Sequence, residues 1–161
     1  MEIDLRNFEE ISRRAHQYTE APARAGSNDH PFDTLYIHSD LPVDVRRLFD
    51  NGHYAQATFE ALKFVDEEVQ RISGSSDSGT SLMMKVFGGS DPALPLNPGV
   101  TTSEKNEQAG YKFLFAGAMQ GVRNPRGHST AIADDPDTCL GHLSLASMLL
   151  RRIDEAGLRR A

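Results

Sequence analysis

A chain of 161 residues fits one domain, long enough to bury about 70% of the surface its unfolded form exposes. With 39% hydrophobic and 25% charged residues and a mean hydropathy of −0.47, it suits water rather than lipid, and no run approaches the roughly 20 apolar residues that span a bilayer. A net charge of −6 argues against a nonspecific nucleic-acid coat, which needs a broad basic surface, but leaves room for a local basic site.

The opening MEIDLRNFEE carries acids where a secretory signal carries bases, and it lacks an apolar stretch, so the cytoplasm is the expected compartment. Over residues 4 to 18, Leu5, Phe8, Ile11, Ala15 and Tyr18 recur at helical spacing, which predicts a short amphipathic helix. Residues 21 to 33 are rich in Pro, Gly, Ser, Asn and Asp and predict a linker. The expected organisation is an N-terminal arm over 1–35 and a helical domain over 36–161. The arm can pack on its own domain, on a second copy or on a larger partner.

Pro42 marks a helix start, and Val45, Leu48 and Phe49 form a stripe that Asn51-Gly52 ends. A longer helix is predicted from His53 to Ser73, with Tyr54, Ala57, Thr58, Ala61, Leu62, Val65, Val69 and Ile72 on one face. His53 and Tyr54 read as structural residues at its start. After GSSDSG, TSLMMKVF predicts a short helix closed by Gly88-Gly89. Pro92, Pro95 and Pro98 forbid a regular helix over 90–103 and predict a long ordered loop. Ser103 is the expected N-cap of a helix running to about Arg123, with Tyr111, Leu114, Phe115, Ala118 and Val122 toward the core. Asp135 or Asp137 opens a last helix through Cys139, Leu143, Ala146, Leu149, Leu150 and Ile153. Four or five helices without a period-2 run predict an all-α bundle. Cys139, the single cysteine, reads as a small buried hydrophobe. The pairs Arg46/Arg47, Arg151/Arg152 and Arg159/Arg160 read as solvated helix faces.

Chemistry concentrates in Val122-Arg123-Asn124-Pro125-Arg126-Gly127-His128. Pro125 lacks an N–H, and its ring would meet the Gly121 carbonyl in an unbroken helix. A break at Asn124, with that residue as N-cap of a fresh turn, is one consistent solution. On an ideal helix residues 123 and 128 lie about 140° apart, so the break, or a dimer facing two such segments together, is what brings arginine and histidine to one target. Arginine offers phosphate a permanent forked cation, and histidine exchanges protons near neutral pH. RNA cleavage by its own 2′-hydroxyl needs a base, an acid and a cation or fixed donors, with no metal demanded by the chemistry. An Arg and a His five apart arise by chance in roughly half of chains of this composition, so location carries the weight rather than spacing. Arg123 has a structural alternative in a salt bridge to Glu60 or Asp66. Arg126 and Lys112 are the expected substrate contacts, although both also read as solvated. Asp134, Asp135, Asp137 and His142 invite a metal reading, but turn and cap use explains the aspartates more simply, so neither metal nor other cofactor is expected.

The blocks GHYAQATFEALKFVDEEV (52–69), LMMKVF (82–87), PALPLN (92–97), EQAGYKFLFAGAMQGVRNPRGH (107–128) and LASMLLRRIDEA (145–156) resemble the Ymh-type family of bacterial and phage hypothetical proteins. That family is similar to the HEPN superfamily, marked by Arg, four residues, then His, often with a polar residue after the Arg. The resemblance covers about residues 36 to 156. It implies a HEPN-like helical bundle that dimerises, with catalytic segments meeting in a cleft between protomers. Arg123, Asn124 and His128 would hold the catalytic positions of a metal-independent endoribonuclease acting on RNA. Such nucleases commonly serve as toxins or antiviral-defence effectors held in check by an antitoxin or companion protein, for which the N-terminal arm is the expected contact. A noncatalytic dimerisation or regulatory module is the alternative.

Overall fold

The computed structural model describes residues 30–128 and 132–159, so the expected helix over 4–18 and most of the expected linker lie outside the described residues. Among those residues all regular structure is helical. In chain order the elements are α1 (Pro31–Thr34), α2 (Val43–Asp50), α3 (Tyr54–Ser73), α4 (Gly79–Val86), α5 (Thr102–Gly117), a π-helical turn (Ala118–Arg123), α6 (Asn124–His128) and α7 (Pro136–Glu155). The unit formed by Pro31–Ala161 is an all-α bundle in which α3 packs on α7 and α2, and α4 packs on α5.

The apolar phase of α3 is what centres it. Ala57, Ala61, Leu62, Val65 and Val69 are fully buried, one or two per turn, and Gly74 closes the helix in the left-handed region at φ 64°. Facing them, α7 buries Cys139, Leu143, Ala146, Leu149, Leu150 and Ile153. Its start is fixed by Asp135, whose carboxylate accepts the Thr138 N–H at 2.9 Å, followed by Pro136 in the first turn. The rings of Phe87 and Phe115 stack with centroids 4.3 Å apart where the end of α4 meets α5.

Residues 88–101 form a loop without helix or strand, tied down by Gln108 of α5. That buried amide accepts the Leu96 N–H at 2.7 Å and donates to the carbonyls of Phe87 and Leu94 at 2.9 and 3.3 Å. Leu94 and Leu96 then reach the core, which gives the proline-rich segment an apolar anchor.

Several expectations require correction. Residues 31–33 belong to a short helix whose Phe32 is buried against Phe49, because one aromatic ring suffices to dock a turn that composition alone reads as linker. The N-cap of α5 is Thr101, not Ser103. Its hydroxyl accepts the Glu104 N–H at 3.2 Å, and the Glu104 carboxylate accepts the Thr101 N–H at 2.8 Å, a reciprocal capping box. Leu114 is 45% exposed, because neighbours on a helix differ by about 100° and Phe115 takes the core direction. Arg152 and Arg159 are ties rather than solvated charges. Arg152 donates to the Leu96 carbonyl at 3.0 Å and lies over the Tyr111 ring, while Arg159 joins Asp40, Glu68 and Asp154. Asn124 does not interrupt the helix. It has φ −61° and ψ −45°, and its N–H bonds to the Met119 carbonyl five residues back.

Candidate functional site

The π-helical turn is how the chain carries Pro125 inside a continuous helix. A turn that holds one extra residue shifts the carbonyl ladder by one position, the kind of adjustment that accommodates a missing N–H without ending the helix. Helix α6 therefore continues in line and delivers Arg126, Gly127 and His128 one after another onto the flank of α3.

Phe59 of α3 organises this contact. The Arg123 guanidinium lies over its ring, 5.5 Å from Cζ to the centroid. Gly127 fits against the ring so closely that an added Cβ would sit 2.7 Å from Phe59 Cε2. Beyond them opens a cleft of about 610 Å³ lined by Gly52, His53, Tyr54, Ala55, Gln56 and Phe59 from the α3 side and by Arg126, Gly127, His128, Ile132, Ala133 and Asp134 from the α6 side. His53 is the N-cap residue of α3 and makes no side-chain cap bond, so its imidazole stands exposed in the cleft. His128 is likewise exposed.

The arginines of the segment are engaged with carboxylates. Arg123 Nη2 lies 3.8 Å from Asp66 Oδ2, and its Nη1 donates weakly to Asn124 Oδ1 at 3.4 Å. Asp66 is 2% exposed, and its other oxygen accepts the Gly79 N–H at 2.8 Å, which places the carboxylate between the start of α4 and the arginine. Glu60, the other expected partner of Arg123, is instead bonded to Gln56 and Lys63. Arg126 forms a bidentate pair with Asp134 and also donates to the Val122 carbonyl at 2.8 Å. Hydrogen bonding by Arg126 holds the Asp134 carboxyl below the usual range, against the opposing effect of its burial. Burial, reinforced by the Arg126 charge, lowers the His142 imidazole, whose Nδ1 lies 3.9 Å from Asp134.

Of the sequence-derived candidates, the structure brings Arg126 and His128 to one cleft. Arg123 and Asn124 are not among its lining residues. Arg123 is turned to Asp66 and the Phe59 face instead, so in one protomer the Arg123 and His128 side chains meet different surroundings. Lys112 sits on α5 with its amine 4.3 Å from the Phe113 ring centroid and does not line the cleft either. Asp134 is committed to Arg126, Asp135 caps α7, and among the described residues no group of three metal-binding side chains is assembled. Sequence reasoning read His53 as structural. Its place immediately after Gly52, where a long helix opens, was the available signal, but no spacing rule connects it with a histidine 75 residues later.

Fold and cleft together define an all-helical domain with a histidine-bearing groove between the start of its central helix and a π-interrupted one. This chain belongs to the Hypoth_ymh family, described as a protein of unknown function, whose model matches residues 36–153. Neither a search of curated proteins nor one of solved structures found a match. No helix among the described residues is long and apolar enough to cross a membrane.

Proposed function

We propose that this domain is a metal-independent endoribonuclease of the HEPN type that acts on RNA, with His128 transferring a proton at the cleft. The observation that supports this reading most is the exposed imidazole of His128, held on a helical wall of a 610 Å³ groove by a turn whose widening keeps the helix intact through Pro125. A histidine so placed can exchange a proton with a 2′-hydroxyl or a leaving 5′-oxygen. Arg123 and Asn124 border the same helical segment, and a homodimer that apposes two such segments would pool two imidazoles and two guanidiniums around one phosphate. In this reading the protein serves as a toxin or antiviral effector in the cytoplasm, restrained by an antitoxin or companion protein bound through the N-terminal arm, which lies outside the described residues.

The alternative is a noncatalytic dimerisation or regulatory module. It is favoured by one observation, that Arg123 and Arg126 are both paired with internal carboxylates. Incubating the purified full chain with RNA in EDTA separates the two readings. The nuclease leaves cyclic-phosphate or 3′-phosphate ends and is abolished by His128→Ala. Arg123→Lys, chosen to keep a cation beside Asp66, lowers cleavage because an ammonium cannot reproduce the guanidinium fork. Intact RNA after prolonged incubation with folded wild type assigns the module instead.

A further inference from the structure

We infer that His53 is the second proton-transfer residue of the cleft, acting with His128 on a single RNA phosphodiester; this rests on the ribonuclease reading above. Transphosphorylation moves two protons at different oxygens. One base must accept the 2′-hydroxyl proton as the O2′–P bond forms, and one acid must donate a proton to the 5′-oxygen as the P–O5′ bond breaks. The products are a 2′,3′-cyclic phosphate and a 5′-hydroxyl, and the step needs no water, metal or redox partner.

The cleft's lining decides which groups can do this. Its titratable or charged side chains are His53 and Tyr54 from α3, Arg126 and His128 from α6, and Asp134. Arg126 and Asp134 close on each other through two bonds of 2.6 Å, which removes both as proton carriers near neutral pH. The Tyr54 ring is held edge-on against Phe49 in the core, with centroids 5.2 Å apart. What remains is two exposed imidazoles lining one groove, His53 from the start of α3 and His128 from the end of α6. The His53 backbone is fixed, its N–H bonded to the Leu48 carbonyl at 2.8 Å and its carbonyl to the Ala57 N–H at 2.9 Å, so the side chain projects from a rigid base. A protomer thus holds an acid and base pair of its own, with α3 and α6 setting the gap a phosphodiester would enter.

The test uses the full chain in EDTA, a short RNA and its analogue with a sulfur in place of the bridging 5′-oxygen at the scissile position. His53→Ala and the polar His53→Asn, a residue type well suited to a helix N-cap, are each expected to lower kcat by at least about a hundredfold. Affinity for a noncleavable 2′-deoxy strand should be unchanged, and one limb of the bell-shaped pH profile should be lost. Because a thiolate leaves without protonation, the sulfur substrate should rescue one of His53→Ala and His128→Ala and not the other, identifying the acid. Wild-type kcat and both pH limbs in His53→Ala, with His128→Ala inactive, overturn the inference and leave the nuclease reading standing. Rescue of both variants or of neither also overturns the pairing. Absence of RNA cleavage by wild type removes the nuclease reading itself, and the inference with it.

Discussion

Arg126 and Asp134 are joined by two hydrogen bonds of 2.6 Å, with side chains only 10% and 5% exposed, so the residue expected to hold substrate is instead a buried strut between α6 and the segment leading into α7. Removing one partner of such a pair leaves an uncompensated charge. Arg126→Ala should destabilise the domain by about 3 kcal/mol, whereas replacing both residues with apolar side chains should recover much of the loss. Urea denaturation of the single and double variants measures this.

The same cluster gives stability a pH dependence. The Asp134 pKa is depressed in the folded state, so its contribution is complete above the unfolded carboxylate value near 3.8 and disappears as pH falls through the lower folded value. The His142 pKa is also depressed, below the ordinary 6.5, so the unfolded chain binds the proton more readily and stability declines as pH drops beneath about 6.5. Thermal melts of wild type should show both declines. His142→Leu should flatten the upper one and leave the acid limb, while Asp134→Asn should weaken the acid limb.

Gly127→Ala should destabilise the fold even though alanine is normally better than glycine in a helix. The new Cβ would lie 2.7 Å from the Phe59 ring, which is confined on another side by Arg123. Overpacking of this kind costs about 1–3 kcal/mol, more than the helix preference returns. Phe59→Leu introduced together with Gly127→Ala should lift the clash, and comparison of the four melting temperatures reports the coupling.

Gln108→Leu deprives Leu96 N–H and the carbonyls of Phe87 and Leu94 of their partner. Each unsatisfied buried group costs about 1–3 kcal/mol, so this substitution should be among the most damaging on α5. Amide hydrogen exchange should show the loss of protection concentrated at Leu96 and its neighbours rather than spread over α3 and α7.

Much of this architecture was legible because it is local. The α3 stripe, the Pro42 start of α2, and Asp135 with Pro136 opening α7 all follow from spacing and caps within a few residues. Thr101 was legible too, since Thr-x-x-Glu is satisfied by Thr101 and Glu104 and not by Ser103 and Asn106. What escaped was tertiary. Arg152 and Arg159 look like helix-face charges until the Leu96 carbonyl and the carboxylates of Asp40, Glu68 and Asp154 arrive from other segments. The Asn124 break failed for another reason. Local proline rules describe an α-helix, and a π turn is a register change that no residue type announces. The candidate site was half visible: His128 stood out through its neighbours, while His53 joins it only when α3 and α6 pack together.

The π turn also makes the facing of α6 a matter of counting. With one residue more than an α turn would hold, Ala118–Arg123 sets the rotation of everything downstream relative to Phe115. Wound as an ordinary α-helix with every residue kept, the same segment would carry His128 about 100° further around the helix axis, whereas excising Gly121, which has open space around it, would restore ordinary winding and leave that facing unchanged. The π turn is therefore a buffer for chain length, taking up one residue between the last core aromatic and the proline without turning the His128 face away from the groove.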